Sequence, residues 1–175
     1  LNLSLRDASL NAKTNNGWRN DLKTKYQEVL TREIEEAYTL FGLHLANFYY
    51  LDSQWTKDQI KNFEDLNYEL WNSFMAGYLF NPRIKEELYN LMSTNYLRAL
   101  NNSLDKNNHK NLIRHITFGY LFNENKKDDL FSRLLVDWNK ETIIEIIGVL
   151  WSDEKYILNK NNSEIIIKIM TFWNK

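Results

Sequence analysis

The sequence predicts an all-α protein in which antiparallel helical hairpins stack as a short α-solenoid. Three observations support this prediction. Pro and Gly are rare, at one and five of the 175 residues, which favours helices over strands and tight turns. Apolar residues recur every three or four positions along most of the chain, which is the spacing of a buried helical face. A motif also repeats after about forty residues, a period typical of stacked helical hairpins.

The repeated motif is the pentapeptide Gly-Tyr-Leu-Phe-Asn, and its flanks match as well. The two copies consist of Gly77, Tyr78, Leu79, Phe80 and Asn81, and of Gly119, Tyr120, Leu121, Phe122 and Asn123. The glycine is expected to let a neighbouring helix approach closely, and the Tyr-Leu-Phe triplet to fill the tip of a hairpin. Asn suits the left-handed residue that ends a helix. We therefore interpret the motif as structural, and its period predicts a HEAT-like or armadillo-like array of about seven to nine helices.

The first half of the chain is predicted to contain a lead-in followed by three helical segments. Residues 1–16 lack a sustained period and are interpreted as a linker. A long helix is expected over about 18–50, with a break near Gly42. A shorter helix, capped by Ser53 or Thr56, should reach about Phe63. The first repeat unit then covers about 66–104, with a stop at Asn81-Pro82 and a partner helix over about 83–104.

The second half is predicted to hold one more repeat unit and a degenerate third. The second unit covers about 108–137, with helices at 109–122 and 128–137. The degenerate unit covers 141–175, with a helix over Thr142–Trp151 and a last helix from Ser163. The whole of 17–175 is thus predicted to be a single helical-repeat domain.

The composition narrows the classes of function. The 22 basic and 23 acidic residues give a net charge of −1, so no general attraction to nucleic acid or anionic lipid is expected. The absence of cysteine excludes disulfides, thiol catalysis and thiolate metal sites. No apolar run approaches the length of a membrane helix, and no secretory signal is visible. A cytoplasmic protein without cofactors is expected.

No catalytic, cofactor-binding or metal-binding residues are predicted. The three histidines are His44, His109 and His115; the last two are nearly two helical turns apart and cannot chelate one ion unaided. The acidic pairs fall at helix starts or on polar faces, where they are interpreted as solvated surface. This segment is therefore predicted not to be an enzyme, with an unrecognised active site as an open alternative.

A second alternative is nucleic-acid binding by one hairpin. Its basic residues are Lys106, Lys110, Arg114, Lys126 and Lys127, and Tyr120 and Phe122 lie close to them in sequence. Single-stranded nucleic acid can stack on aromatic rings within such a basic patch. The aromatics also belong to the repeat, and Asp128 and Asp129 dilute the charge, so this alternative ranks below a protein partner.

The leading prediction is a protein-interaction, scaffold or sensor domain that binds another protein or a neighbouring domain of its own chain. Aromatic residues make up 14% of the sequence, and rings contribute much of the area in interfaces. The last helix carries an apolar stripe in place of a polar cap, and its candidate contact residues are Ile166, Met170 and Trp173. Because the sequence starts at Leu1 and stops within this stripe, we expect it to be part of a longer protein.

The segment around Trp71–Leu91, with the pattern W-x-x-F-x-x-G-Y-L-F-N-P, resembles helical regions of large bacterial multidomain proteins, including some antiphage systems. In such proteins a sirtuin-like or nucleotide-hydrolysing domain precedes long helical repeats. The resemblance implies a sensor or regulatory role for this segment, with any catalysis elsewhere in the parent protein. It carries over no functional residue.

Overall fold

The computed structural model describes residues 18, 20–82, 85–122, 129–136, 140–152, 154, 157 and 163–173. Over these residues the protein is all-helical, without a β-strand, which confirms the predicted fold class. The predicted linker at residues 1–16 lies outside the described residues. Eleven helices are present in the described part of the chain: α1 Asn20–Leu30, α2 Glu35–Leu43, α3 Leu45–Leu51, α4 Ser53–Phe63, α5 Tyr68–Leu79, α6 Glu86–Leu91, α7 Ser93–Leu100, α8 Lys106–Phe122, α9 Asp129–Leu134, α10 Lys140–Ser152 and α11 Ser163–Trp173.

The chain divides into two compact units, Leu1–Asn81 and Pro82–Lys175. The boundary falls at the predicted helix stop, inside the segment that the sequence assigns to the first repeat unit. Within the N-terminal unit, α5 packs mainly against α2. Within the C-terminal unit, α8 is the longest described helix, and it contacts α6, α7, α9, α10 and α11.

The helix count exceeds the prediction because two expected helices are broken. The segment 18–50 forms three helices. The first break follows Leu30, where Glu33 takes a left-handed conformation with φ of 52° and the Tyr38 hydroxyl donates to the Leu30 carbonyl at 3.2 Å. The second break falls at His44, so the prediction near Gly42 was close, but Gly42 itself lies inside α2.

The segment 83–104 was predicted as one helix, and its described residues form two. Helix α6 ends at Leu91 and α7 begins at Ser93, with the fully buried Met92 between them. Hydrophobic spacing continues across this break, which explains why a single helix was predicted. The backbone of Met92 departs from helical angles, with φ of −88° and ψ of 6°, while its side chain is packed in the core.

Two helices of the N-terminal unit begin at a side chain that caps them. Asp52 caps α4, since its Oδ1 accepts the Trp55 backbone N–H at 2.9 Å. The predicted caps Ser53 and Thr56 were wrong, because both lie inside the helix. Asn67 caps α5 by accepting the Leu70 N–H at 3.0 Å. Such caps satisfy N–H groups that have no partner within their own helix.

The core of the N-terminal unit is a cluster of aromatic rings. Phe41 lies near its centre, stacked on Phe48 with ring centroids 4.7 Å apart and edge-on to Phe63 at 5.2 Å. The other rings of the cluster are Trp18, Tyr26, Tyr38, Trp55 and Phe74, all buried. Offset and edge-on pairs at these separations stabilise a core beyond the area that they bury. Much of the aromatic content therefore serves packing.

The glycine of the first pentapeptide lies where two helices meet backbone to backbone. A Cβ on Gly77 would lie 2.9 Å from the Leu43 nitrogen and closer still to the Thr39 carbonyl oxygen, and a Cβ on Gly42 would lie 2.7 Å from the Tyr78 nitrogen. Helices α2 and α5 can approach this closely only because neither glycine has a side chain. The predicted close approach at Gly77 is confirmed.

The glycine of the second pentapeptide is approached by a side chain and not by another backbone. A Cβ on Gly119 would meet the ring of Tyr89, with Cε1 at 2.6 Å. The next residue, Tyr120, stacks on Phe131 with centroids 4.1 Å apart and ring planes 10° from parallel. Gly119 is therefore covered by an aromatic side chain of α6.

Two predicted details of the pentapeptide were wrong in the first copy. Phe80 is 72% exposed and fills no hairpin tip. Asn81 is not left-handed, since among the described non-glycine residues only Glu33 has positive φ. Instead the Asn81 side chain donates to the Leu43 carbonyl at 2.9 Å and so satisfies the end of α2. Asn123, its counterpart in the second copy, lies outside the described residues.

Candidate interaction surface

The inner face of α11 packs into the core of the C-terminal unit. Ile165 and Phe172 are buried, and Ile165 shares an apolar cluster with Leu121 of α8. Phe172 lies edge-on to Phe131, with ring centroids 5.9 Å apart. These contacts fix the rotation of α11 about its axis and thereby determine which residues face outward.

The single lysine of α11 is turned back towards α8. The Lys168 ammonium donates to the Leu121 carbonyl at 3.5 Å and lies 5.9 Å from the centre of the Tyr120 ring. The Tyr120 hydroxyl in turn donates to the Lys168 carbonyl at 3.3 Å, and burial raises the pKa of this hydroxyl. A cation beside the last carbonyls of a helix is favourably placed. The lysine therefore carries its charge away from the opposite side of α11.

That opposite side is an exposed apolar surface. We call it the outer face of α11 and define it as Ile166, Ile167, Met170 and Trp173, which are 53%, 63%, 56% and 56% exposed. A helix that is apolar on both sides is usually covered on both. Three of the four residues were predicted as contact residues, and the structure places all three outward. Ile167 was missed, although Glu164, Lys168 and Thr171 form a polar stripe between its side of α11 and the core side.

Helix α10 carries a second exposed apolar strip that was also missed. Ile144 is 53% exposed and Trp151, two turns further along, is 80% exposed. Between them lies Gly148, where a Cβ would have no atom within 4 Å in the described part of the chain. The seven-residue spacing of Ile144 and Trp151 is the signal that could have identified this strip from sequence.

The described residues of the predicted basic hairpin are largely occupied by other groups. Lys110 pairs with Glu145 of α10 at 2.7 Å, and the Arg114 guanidinium lies 5.5 Å from the centre of the Phe118 ring. Lys106 is exposed in the first turn of α8. Lys126 and Lys127 lie outside the described residues. Glu145, which breaks the apolar pattern of α10, is thus explained by its lysine partner.

Two shallow cavities flank the start of α8, and His109 contributes to both. One, of about 230 Å³, is lined by Lys106, Lys110, Glu141 and Glu145, so positive and negative groups are mixed along it. The other, of about 240 Å³, lies beside Leu97, Arg133 and Thr142. Both are smaller than the usual range of small-molecule sites, and polar and apolar groups are mixed along both.

The remaining histidines are placed by packing. His115 is fully buried, and its Nδ1 lies 3.0 Å from the Tyr96 hydroxyl, which is buried as well. His44 lies between α2 and α3, where burial lowers its pKa. Within the described ranges, no three His, Asp or Glu side chains are grouped so that they could hold a metal ion.

The sequence matches no family model, and comparisons with curated proteins and with solved structures find no match. Among the helices that the structure describes, none is long and apolar enough to cross a membrane. The interpretation of function therefore depends on the surfaces described above.

Proposed function

We propose that this chain is a non-catalytic protein-interaction module with a scaffold or sensor role, and that the outer face of α11 is its contact surface. One observation carries the proposal: α11 exposes four apolar side chains, while its lysine is turned inward onto Leu121 and Tyr120. A single exposed apolar residue needs no explanation, whereas a contiguous patch is typical of interaction sites.

The exposed apolar area of the outer face limits what this face can contribute to binding. Fully burying an Ile or Met side chain contributes about 1.5–3 kcal/mol. Each residue of the outer face is slightly more than half exposed, so covering all four supplies on the order of 4 kcal/mol before the costs of association. This value is no larger than the costs of association, so a stable complex requires a contact wider than these four side chains.

The sequence supports the proposed parent protein and its location in the cell. The repeat and the resemblance of Trp71–Leu91 favour a HEAT-like segment of a larger bacterial protein, acting in the cytoplasm as a sensor for an effector domain. Nucleic-acid binding has less support, since Lys110 is paired with Glu145 and Arg114 lies over Phe118. An active site is supported by no observation on the described residues.

A photo-crosslinking experiment tests the proposal. A photoreactive amino acid replaces Met170 in the chain, expressed in its source cells, and a second version carries it at Tyr50, an exposed position of α3. We expect discrete adducts at position 170, with partners identified by mass spectrometry. Adding Ile166→Glu should abolish them, because a charge on the same face opposes its burial.

The Tyr50 version reports non-specific contact, since its exposed fraction of 59% matches the 56% of Met170. Adducts that are as frequent at position 50 as at position 170, and that survive Ile166→Glu, would overturn the proposed contact surface.

A further inference from the structure

We infer that α11 can adopt two structures: a helix while it packs against α8, and a β-strand that pairs with the same segment of other copies once it has opened. The product is a cross-β assembly, in which strands stack through main-chain hydrogen bonds. The inference does not depend on the proposed contact surface, because it concerns the chain after α11 has left the folded unit. It follows from the composition, the periodicity and the packing of α11.

The residues of α11 favour a strand more than a helix. Seven of the nine residues at 165–173 are β-branched or aromatic, and the one charged residue among them is Lys168. Side chains of both kinds lose rotamer freedom against the preceding turn of a helix, whereas they pack well on a pleated sheet. Helix α11 has 11 residues, a length that is marginal for an isolated helix even with better helix formers. Its helical form therefore depends on tertiary contacts.

The same sequence also has the alternation of a strand. In an extended segment every second side chain lies on the same face, so Ile165, Ile167 and Ile169 form one row, which continues with Thr171 and Trp173. Lys168 falls on the other face. The row is an unbroken series of β-branched and aromatic side chains. Such rows can interdigitate in dry contact between stacked sheets.

Helix α10 carries as many isoleucines as α11 but has no unbroken row. In an extended form, Glu145 would interrupt one of its faces and Gly148 the other. A charge opposes dry contact between sheets, and glycine has no side chain to pack. The inference is therefore specific to α11.

Few contacts hold α11 in the folded unit. Among its described side chains, Ile165 and Phe172 are the two that are buried. The hydrogen bonds that join Lys168 to the end of α8 are long, at 3.3 and 3.5 Å. The outer face is more than half exposed, so it contributes little to holding the helix. Elements with little buried surface open at a lower free energy than the whole fold, and we expect α11 to open in this way.

Once open, the segment meets the conditions for pairing between copies. It contains no Pro or Gly, and the charges of Glu164 and Lys168 cancel. Short segments with high β propensity and low net charge stack in this way when no fold holds them. Pairing then satisfies the main-chain N–H and C=O groups that opening the helix had released. Assembly is therefore favoured at high concentration, under conditions that open α11 and leave the rest folded.

Hydrogen exchange of the whole chain tests the opening step. The protection factors of residues 165–172 should be at least about tenfold lower than those of residues 112–121 in α8. Equal protection in the two helices would overturn the inference, because α11 would then open only when the whole unit unfolds.

The pairing step is tested by agitating the whole chain at high micromolar concentration, in urea below the unfolding transition. Thioflavin T fluorescence should rise after a lag, and the product should diffract at about 4.7 Å and about 10 Å, the spacings between strands and between sheets. If the wild type gives no such diffraction where exchange shows α11 to be open, the inference is wrong.

Substitutions at Ile167 test whether the row is responsible, because this side chain is 63% exposed in the helix and its replacement spares the core. Ile167→Lys places a charge in the row and should abolish assembly. Ile167→Leu keeps an apolar side chain of the same size but favours helix over strand, so the lag should lengthen several-fold.

Ile34→Lys is the matched control, since it makes the same change at an exposed position of the other unit and should assemble like the wild type. Circular dichroism should show the same helix content in all three variants before assembly. Assembly of Ile167→Lys at the wild-type rate, or an equal loss in Ile34→Lys, would show that the row of α11 does not form the strand contact.

Discussion

Gly77 and Gly119 begin identical pentapeptides, yet they face different neighbours. Gly77 meets the backbone of α2, where Gly42 is its counterpart, whereas Gly119 lies under the ring of Tyr89. Backbone cannot yield without moving a whole helix, but a ring can rotate or shift. The same pentapeptide therefore makes a rigid backbone contact in the N-terminal unit and a contact with a movable side chain in the C-terminal unit. The repeated motif specifies a small residue near a helix end. Which neighbour contacts that residue depends on the tertiary structure around it.

The largest expected change in stability is at the backbone contact between α2 and α5. Gly77→Ala should lower the free energy of unfolding by about 3 kcal/mol, because the new Cβ overlaps the Thr39 carbonyl and the helices must separate. Gly148→Ala is the matched control: no described atom lies near its Cβ, so it should gain about 0.5–1 kcal/mol from helix propensity. Urea unfolding measures both. Equal effects at the two sites would contradict the backbone contact.

The next effect tests a buried polar contact of the C-terminal unit. Tyr96→Phe should cost about 1–2 kcal/mol, because His115 Nδ1 loses its hydrogen bond with the Tyr96 hydroxyl inside the core. Thermal and urea unfolding provide the measurement. Tyr50→Phe removes a hydroxyl from an exposed ring and should change nothing. A neutral Tyr96→Phe would show that this hydrogen bond contributes no net stability.

A smaller effect tests the adaptable side of the comparison. Gly119→Ala should cost about 1 kcal/mol, since the Tyr89 ring can shift and the helix gains propensity in part compensation. In the background of Tyr89→Leu, which removes the ring, the same change should become neutral or stabilising. A double-mutant cycle from urea unfolding gives the coupling. A coupling near zero would mean that Tyr89 does not cover Gly119.

The smallest effect concerns acid stability of the N-terminal unit. Burial alone would raise the pKa of Asp52, but hydrogen bonds from Lys23 and the Trp55 N–H outweigh it, so the folded pKa lies below the ordinary value. The stabilisation is then present above the unfolded pKa of about 4 and is lost as pH falls through the folded pKa.

Asp52→Asn should therefore cost about 0.5–1 kcal/mol at neutral pH, since Asn keeps a cap but loses the ion pair. The difference from wild type should shrink in acid unfolding series below about pH 4. Asp58→Asn, on the exposed surface of α4, serves as the control. A difference that grows as pH falls would reverse the assigned sign.

The fold class was predictable because scarce Pro and Gly and a clear helical period point the same way. Exact helix ends were not predictable, since Asp52, Ser53 and Thr56 lie within five residues and each is an acceptable cap. Hydrophobic spacing also runs through Met92, which hides the break between α6 and α7. The errors in the helix ends arise where several neighbouring residues fit the same local pattern, because tertiary packing then determines which of them ends the helix.

The candidate surface was predictable only in part. The sequence shows that apolar residues occupy most of the circumference of α11, but the rotation of the helix depends on Ile165 and Phe172 entering the core. Glu145 interrupts the apolar pattern of α10, and its ion-pair partner Lys110 lies thirty-five residues earlier in the chain. Long-range partners of this kind leave no mark in local periodicity.

The crossing of α2 and α5 at Gly42 and Gly77 has a consequence for how the N-terminal unit opens. Two helices in backbone contact leave little room for water to enter between them, so their amide protons should exchange with solvent only when the helices separate. Helices α3 and α4 lie between these two along the chain, and the crossing therefore closes the loop that contains them. Slow exchange in α2 and α5, with earlier exchange in the other helices of the unit, would identify this pair as the last part of the unit to unfold.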